Sequence, residues 1–241
     1  MSGSEIVPEA AIGVFGDLVG TAEKYVDFLR GPGIDRGLIG PREGDRLWER
    51  HVLNSTAVSS EIDGPSGEES LTVTDIGSGA GLPGIPLALC RPELKVILVE
   101  PLLRRSIFLE EAIDSLKMKE IGIDIKVIRG RADDANVLEE VSGSDVVTAR
   151  AVAPLAKLGR WCAPLIRDNG RLIALKGESA EEELARDSNA IRKAGLVSPR
   201  FRTVAVPGAD PTYLITATKA SSNPGTGTKG RRDKLGKNKK R

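Results

Sequence analysis

The chain has 241 residues, 40% hydrophobic and 29% charged, with 3% aromatics and a formal net charge of +1. This is an ordinary soluble composition with room for one α/β core plus appendages. So few rings exclude ligand recognition that rests mainly on aromatic stacking. Cys90 and Cys162 lie too far apart for a disulfide framework or a zinc cluster, and no metal site is expected. His51 is the only histidine, and no nucleophile elbow accompanies it, which disfavours a serine hydrolase. The acidic start (Glu5, Glu9) does not read as a signal peptide, and no apolar run reaches the 18 or so residues of a membrane helix. A cytoplasmic protein without membrane contact is the expectation.

The charge is segregated. From Lys219 to Arg241 there are nine basic residues and one acid, leaving 26 basic and 33 acidic residues in 1–218. A basic tail on a mildly acidic body suits a polyanionic partner, or serves only solubility.

In chain order, residues 1–70 read as a helical extension. Ile12, Phe15, Val19, Ala22, Tyr25, Phe28 and Leu29 recur at helical spacing. Gly31-Pro32-Gly33 reads as a break, a second helix is expected over Arg46–Ser59, and Asp63–Gly67 reads as a loop. From residue 71 to 218 short Val/Ile-rich segments alternate with longer helical stretches. Strands are expected at Leu71–Ile76, Val96–Glu100, Ile123–Ile128, Asp145–Ala149 and Arg171–Leu175. Helices are expected at Leu102–Lys119, Leu155–Arg167 and Ala180–Ala194. That rhythm predicts a doubly wound α/β fold with a mostly parallel sheet. The last two strands, Phe201–Val206 and Tyr213–Thr218, are separated by too few residues for a crossover, so they should form a C-terminal antiparallel hairpin. That makes seven strands. Residues 219–241 have too little apolar surface to order and read as a disordered tail.

The strongest local signal is Asp75-Ile76-Gly77-Ser78-Gly79-Ala80-Gly81-Leu82-Pro83-Gly84, which follows the first strand and opens a helix. Gly77, Gly79 and Gly81 permit a tight turn and close backbone approach to a ligand. Asp75 would disfavour a pyrophosphate but suits a cationic ligand. Glu100, ending the second strand, is placed to accept ribose hydroxyls. Such an acidic pocket fits S-adenosylmethionine, with its sulfonium and ammonium, better than NAD.

The run from Asp75 through Leu82-Pro83-Gly84-Ile85-Pro86-Leu87 to Ala88 resembles the bacterial 16S ribosomal RNA guanine-N7 methyltransferases, the RsmG or GidB family. Further matches are Arg50–Ser55, Glu100 with Arg104-Arg105 and Phe108-Leu109, Gly130–Asp133, Ala149–Ala151 and Ala174–Gly177. Asn54 and Ala149 depart from residues common in the family. The resemblance implies a class I, Rossmann-like methyltransferase acting on the 530 loop of 16S ribosomal RNA or on the 30S subunit; a monomer is the expectation. It places Gly77 and Leu82 beside the methionine and ribose, Ala132 and Asp133 at the adenine, and Arg150 between cofactor and substrate base.

Guanine N7 carries a free lone pair at neutral pH, so in-line methyl transfer needs positioning rather than a base. Arg150 is the candidate catalytic residue, donating to guanine O6 or phosphate; the structural alternative pairs it with Asp145 or Asp133. His51, beside Val52 and Leu53, is expected to be a packed, hydrogen-bonded residue. Arg104, Arg105, Arg129, Arg131, Arg160 and Lys176 are candidates for phosphate contact. The competing readings are a small-molecule methyltransferase and a noncatalytic RNA-binding assembly factor.

Overall fold

The computed structural model describes residues 6–63 and 70–222. Seven strands, β1 (Thr72–Ile76), β2 (Lys95–Glu100), β3 (Ile125–Arg129), β4 (Ser144–Arg150), β5 (Ile166–Lys176), β6 (Leu196–Val204) and β7 (Thr212–Lys219), form one sheet in the order β3-β2-β1-β4-β5-β7-β6. The first five are parallel to one another, whereas β7 runs antiparallel to both β5 and β6. This is the expected parallel sheet with its antiparallel end. Among the described residues no helix is long and apolar enough to cross a membrane.

Alternation of side chains explains why β2 is apolar along almost its whole length. Val96 and Leu98 join a core cluster with Tyr25, Trp48, Ile85 and Phe108, while Ile97 and Val99 join a second with Leu155, Leu158 and Ile191. The first face is covered by α1 (Glu9–Phe15), α2 (Val19–Phe28), α3 (Gly84–Cys90) and α4 (Leu103–Ser115). The second is covered by α5 (Ala135–Val141), α6 (Leu155–Cys162) and α7 (Ala180–Lys193). Fully burying one such aliphatic side chain stabilises by about 1.5–3 kcal/mol, so both layers are strongly held.

Several boundaries differ from the sequence reading. Gly31-Pro32-Gly33 does not break the helical path, because Leu29–Gly33 forms a π-type turn. Pro32 lacks an N–H yet still offers its carbonyl to Arg36, and the chain turns only at Gly37, with φ +69°. Instead of one helix over Arg46–Ser59, a π-type turn (Trp48–Leu53) precedes a 3-10 segment (Thr56–Glu61). The hydroxyls of Ser55, Thr56, Ser59 and Ser60 each donate to a carbonyl three or four residues back, competing with a regular ladder. Helix α6 stops at Cys162 rather than Arg167, because the chain enters β5 at Ile166. Lys219 lies in β7, Ala220 N–H donates to Gly195 O and Ser222 bonds Asp168, so these residues of the expected tail are held. The remainder of the tail and loop residues 64–67 lie outside the described residues.

Candidate cofactor and substrate site

In an open α/β sheet, ligands bind beyond the carboxyl ends of strands where the strand order reverses. Here that point lies between β1 and β4, beside β2. The glycine turn after β1 is built for it. Gly77, Gly79 and Gly81 have φ of +70°, +57° and +97°, a region that costs a side-chain-bearing residue about 1–3 kcal/mol. A Cβ on Gly81 would lie 2.5 Å from Ile85 Cδ1 and 3.0 Å from the Tyr25 hydroxyl, and one on Gly77 would lie 2.8 Å from Val152 Cγ2. The buried Tyr25 hydroxyl donates to Ala80 O at 2.8 Å, and burial raises its pKa well above the ordinary value, so it stays a donor. The sequence reading gave Tyr25 only an apolar role.

Glu100 is 2% exposed. Its Oε2 accepts the Gly79 N–H at 3.0 Å and its Oε1 accepts the Leu102 N–H at 3.0 Å. One carboxylate thus clamps the turns after β1 and β2 and retains lone pairs for hydroxyl donors.

Asp75 is fully buried beneath the glycine turn and lines none of the cavities at this end of the sheet. Its Oδ2 accepts the Gly84 N–H at 3.1 Å, while Oδ1 has no protein partner. Burial pushes its pKa from the ordinary 3.8 to about 7. A folded-state pKa raised above the unfolded one means that stability falls as pH rises between about 4 and 7, then levels off. Asp75→Asn is expected to flatten this dependence in melting temperature measured from pH 4 to 8.

Three adjoining cavities follow. A slot of about 100 Å³ is walled by Gly77, Gly130, Ala132, Asp133, Val152 and Trp161. It opens beside a groove of about 600 Å³ lined by Gly77, Gly79, Leu82, Glu100, His51 and Arg150. A third cavity, about 350 Å³, holds Arg50, Asn54, Lys176, Glu178 and Tyr213, and shares His51, Arg150 and Ala151 with the groove. Gly81, which does not line these cavities, shapes the turn from within. Trp161 went unnoticed in the sequence because it looks like one more residue of an amphipathic helix. Its ring faces Lys157 Nζ at 4.6 Å and the Arg131 guanidinium at 5.8 Å.

Arg150 is not paired with Asp145 or Asp133. Its Nη1 donates to His51 O (3.2 Å) and Ser55 Oγ (3.1 Å), and its Nη2 to Arg50 O (2.8 Å) and His51 Nδ1 (3.0 Å). These four bonds engage the terminal N–H groups of the fork within the chain. Donation to O6 or phosphate through these terminal groups needs exchange of one of them, whereas the Nε–H is the fifth donor of the fork and takes no part in the four bonds. Because His51 Nδ1 accepts, its proton sits on Nε2, which donates to Glu43 Oε2 at 3.1 Å. Burial and the Arg150 charge lower the His51 pKa and keep it neutral. His51 is thus the packed, hydrogen-bonded residue expected.

Of the six candidate phosphate ligands, Arg105, Arg131 and Lys176 each line one of the adjoining cavities. Lys176 Nζ is spent on Ala153 O (2.9 Å) and Glu183, whose Oε1 also accepts the Leu155 N–H (2.7 Å). Arg131 pairs with Asp133 at 3.1 Å, whereas Arg104 and Arg105 are exposed at the start of α4.

The apolar slot, the glycine cradle and the buried Glu100 carboxylate fit a nucleoside carrying an amino-acid tail. Fold and site together define a class I, S-adenosylmethionine-dependent methyltransferase. The family model for rRNA small subunit methyltransferase G matches residues 19–207. The chain is 48% identical over 225 residues to ribosomal RNA small subunit methyltransferase G of Mycolicibacterium smegmatis, covering 93% of this chain and 92% of that one. To the protein of the same name from Rhodococcus jostii it is 52% identical over 186 residues, covering 77% and 78%. Among solved structures, Aeropyrum pernix fibrillarin with natively bound S-adenosyl-L-methionine shares the fold, with TM-score 0.51 and 18% identity over 69% of this chain and 76% of that one. The chain belongs to the rRNA small subunit methyltransferase G family and is an rRNA methyltransferase.

Proposed function

We propose that this chain methylates N7 of a guanosine in the 530 loop of 16S ribosomal RNA, presented as RNA or as the 30S subunit, acting as a cytoplasmic monomer without a metal ion. The observation that carries this reading is the shared wall of His51, Arg150 and Ala151 between the cofactor groove and the third cavity. A base seated in that cavity lies next to the groove.

When bound, S-adenosylmethionine supplies an electrophilic methyl group. Gly77, Gly79 and Leu82 line its methionine and ribose side, Glu100 accepts the ribose hydroxyls, and Ala132 and Asp133 border the adenine. Gly81 and Asp75 act from within and below the turn by fixing its shape. Arg150 holds the wall that orients the base. No group need accept a proton before attack, since N7 is already a lone-pair donor. That agrees with a histidine whose two nitrogens are both engaged. The described residues of the 1–70 extension pack on one face of the 71–218 cofactor domain, and the basic tail 219–241 adds salt-sensitive RNA affinity.

Borohydride and aniline cleave RNA selectively at N7-methylguanosine. Treated 16S RNA should show one new cut, in the 530 loop, only after incubation with this protein and cofactor. Methyl label without a cut would place the methyl group on another atom and overturn the N7 reading.

A further inference from the structure

Two cations occupy a place where helix electrostatics disfavours them. Arg104 and Arg105 lie in the first turn of α4 (Leu103–Ser115), which holds no acidic residue. The amino end of a helix carries about half a positive charge, so carboxylates belong there and cations destabilise it. Neither guanidinium meets a carboxylate within salt-bridge distance among the described residues, although Arg36 nearby is satisfied by Glu111 at 2.6 Å. The apolar side chains beside them are also misplaced for a free surface. Leu102 is 53% exposed, Leu103 54% and Ile107 46%. Leu103 and Ile107, four residues apart, form one strip on the helix. Across from them Asp35–Leu38 completes a groove of about 750 Å³, which shares Leu38, Leu102 and Arg105 with the cofactor groove.

We propose that this groove is the docking surface for single-stranded RNA flanking the target nucleotide. Resting on the rRNA methyltransferase reading above, it names the side by which the substrate strand reaches the site. Arg104 and Arg105 take its phosphates, helped by the amino end of α4. Leu102, Leu103 and Ile107 seat an unstacked base. The pairing of fixed cations with a small apolar shelf suits a strand whose phosphates and bases are both exposed. Asp35 is the acid that lines the groove, on its far wall.

The test is binding of the full chain to a fluorescent RNA spanning the 530 loop, followed by anisotropy over a salt series. Arg104→Ala should weaken binding and reduce the slope of log affinity against log salt by about 0.7, the value for one lost single-strand phosphate contact. Arg104→Glu should weaken binding further while its melting temperature stays level or rises, because the substitution restores the preferred charge to the helix start. Its affinity for S-adenosylmethionine should be unchanged, since Arg104 does not line the cofactor groove. Leu103→Ser combined with Ile107→Ser should weaken binding roughly tenfold with the salt slope unchanged. RNA affinity and slope equal to wild type in these variants would overturn the proposal. So would unchanged RNA binding with methylation of 30S subunits lost, which would assign the patch to a ribosomal protein. Wild type that binds this RNA but transfers no methyl to it or to 30S subunits would instead sink the function proposed above and leave the surface standing.

Discussion

Replacing Glu100 with alanine is expected to lower affinity for S-adenosylmethionine by at least about 100-fold, the largest effect of any single truncation on cofactor binding. The carboxylate is buried, and each oxygen receives a backbone N–H, from Gly79 and from Leu102. Hydrogen bonds to a charged group contribute about 1.5–3 kcal/mol each, and an orphaned buried donor costs about 1–3 kcal/mol. Truncation therefore removes the acceptor for the ribose hydroxyls and releases two turns that shape the groove. Two lost interactions of this size correspond to a hundredfold or more in dissociation constant. Glu100→Gln keeps the shape and one acceptor, so its loss should be several-fold smaller. Calorimetric titration with cofactor separates the cases. An alanine variant that binds as tightly as wild type would reduce Glu100 to a structural clamp.

The second large effect is on turnover. Arg150→Ala is expected to reduce kcat for methyl transfer by about 100-fold or more while cofactor affinity changes less than about fivefold. Arg150 joins the end of β4 to the turn at Arg50–Ser55 through four hydrogen bonds, and it borders both the cofactor groove and the third cavity. Losing it lets the shared wall move, and small misplacements of reacting groups cost about two orders of magnitude in rate. Stability should fall as well, by about 1–3 kcal/mol, since two carbonyls lose their donor. Arg150→Lys should rescue neither rate nor stability, because a single ammonium cannot match the fork. A purely structural role would change stability without this split between kcat and cofactor affinity.

The same contact carries a pH signature. The lowered pKa of His51 means that its neutral form is favoured by the fold, so this contribution to stability is lost as pH falls below the ordinary histidine value of 6.5. Protonated Nδ1 cannot accept from Arg150, and two cations then meet. In Arg150→Ala this acid sensitivity should diminish.

The sheet was legible because its signals are local. β2 carries an apolar residue at every interior position, and the glycine run follows β1 directly. Glu100 was readable too, since a carboxylate at the end of the second strand has a spacing that chemistry predicts. What escaped is long-range or balanced between states. Tyr25 reaches Ala80 across 55 positions, and Arg150 reaches Arg50 across 100, which no periodicity encodes. Helix α5 has only Val137 and Val141 fully buried, too weak a pattern to stand out. The α6–β5 boundary falls around Pro164, a helix-ending residue that an expected helix reaching Arg167 runs straight through. The expectation that Asp75 faces the ligand failed to register its burial: a residue just before the turn points down into the core, where it fixes Gly84 instead.

The most direct test is methyl transfer from radiolabelled S-adenosylmethionine to 30S subunits and to protein-free 16S RNA, both taken from a strain lacking this protein. Label incorporated into 16S RNA at one guanosine, to about one methyl per molecule in the better substrate, is the predicted result. Tight cofactor binding with no label in either RNA would contradict the account.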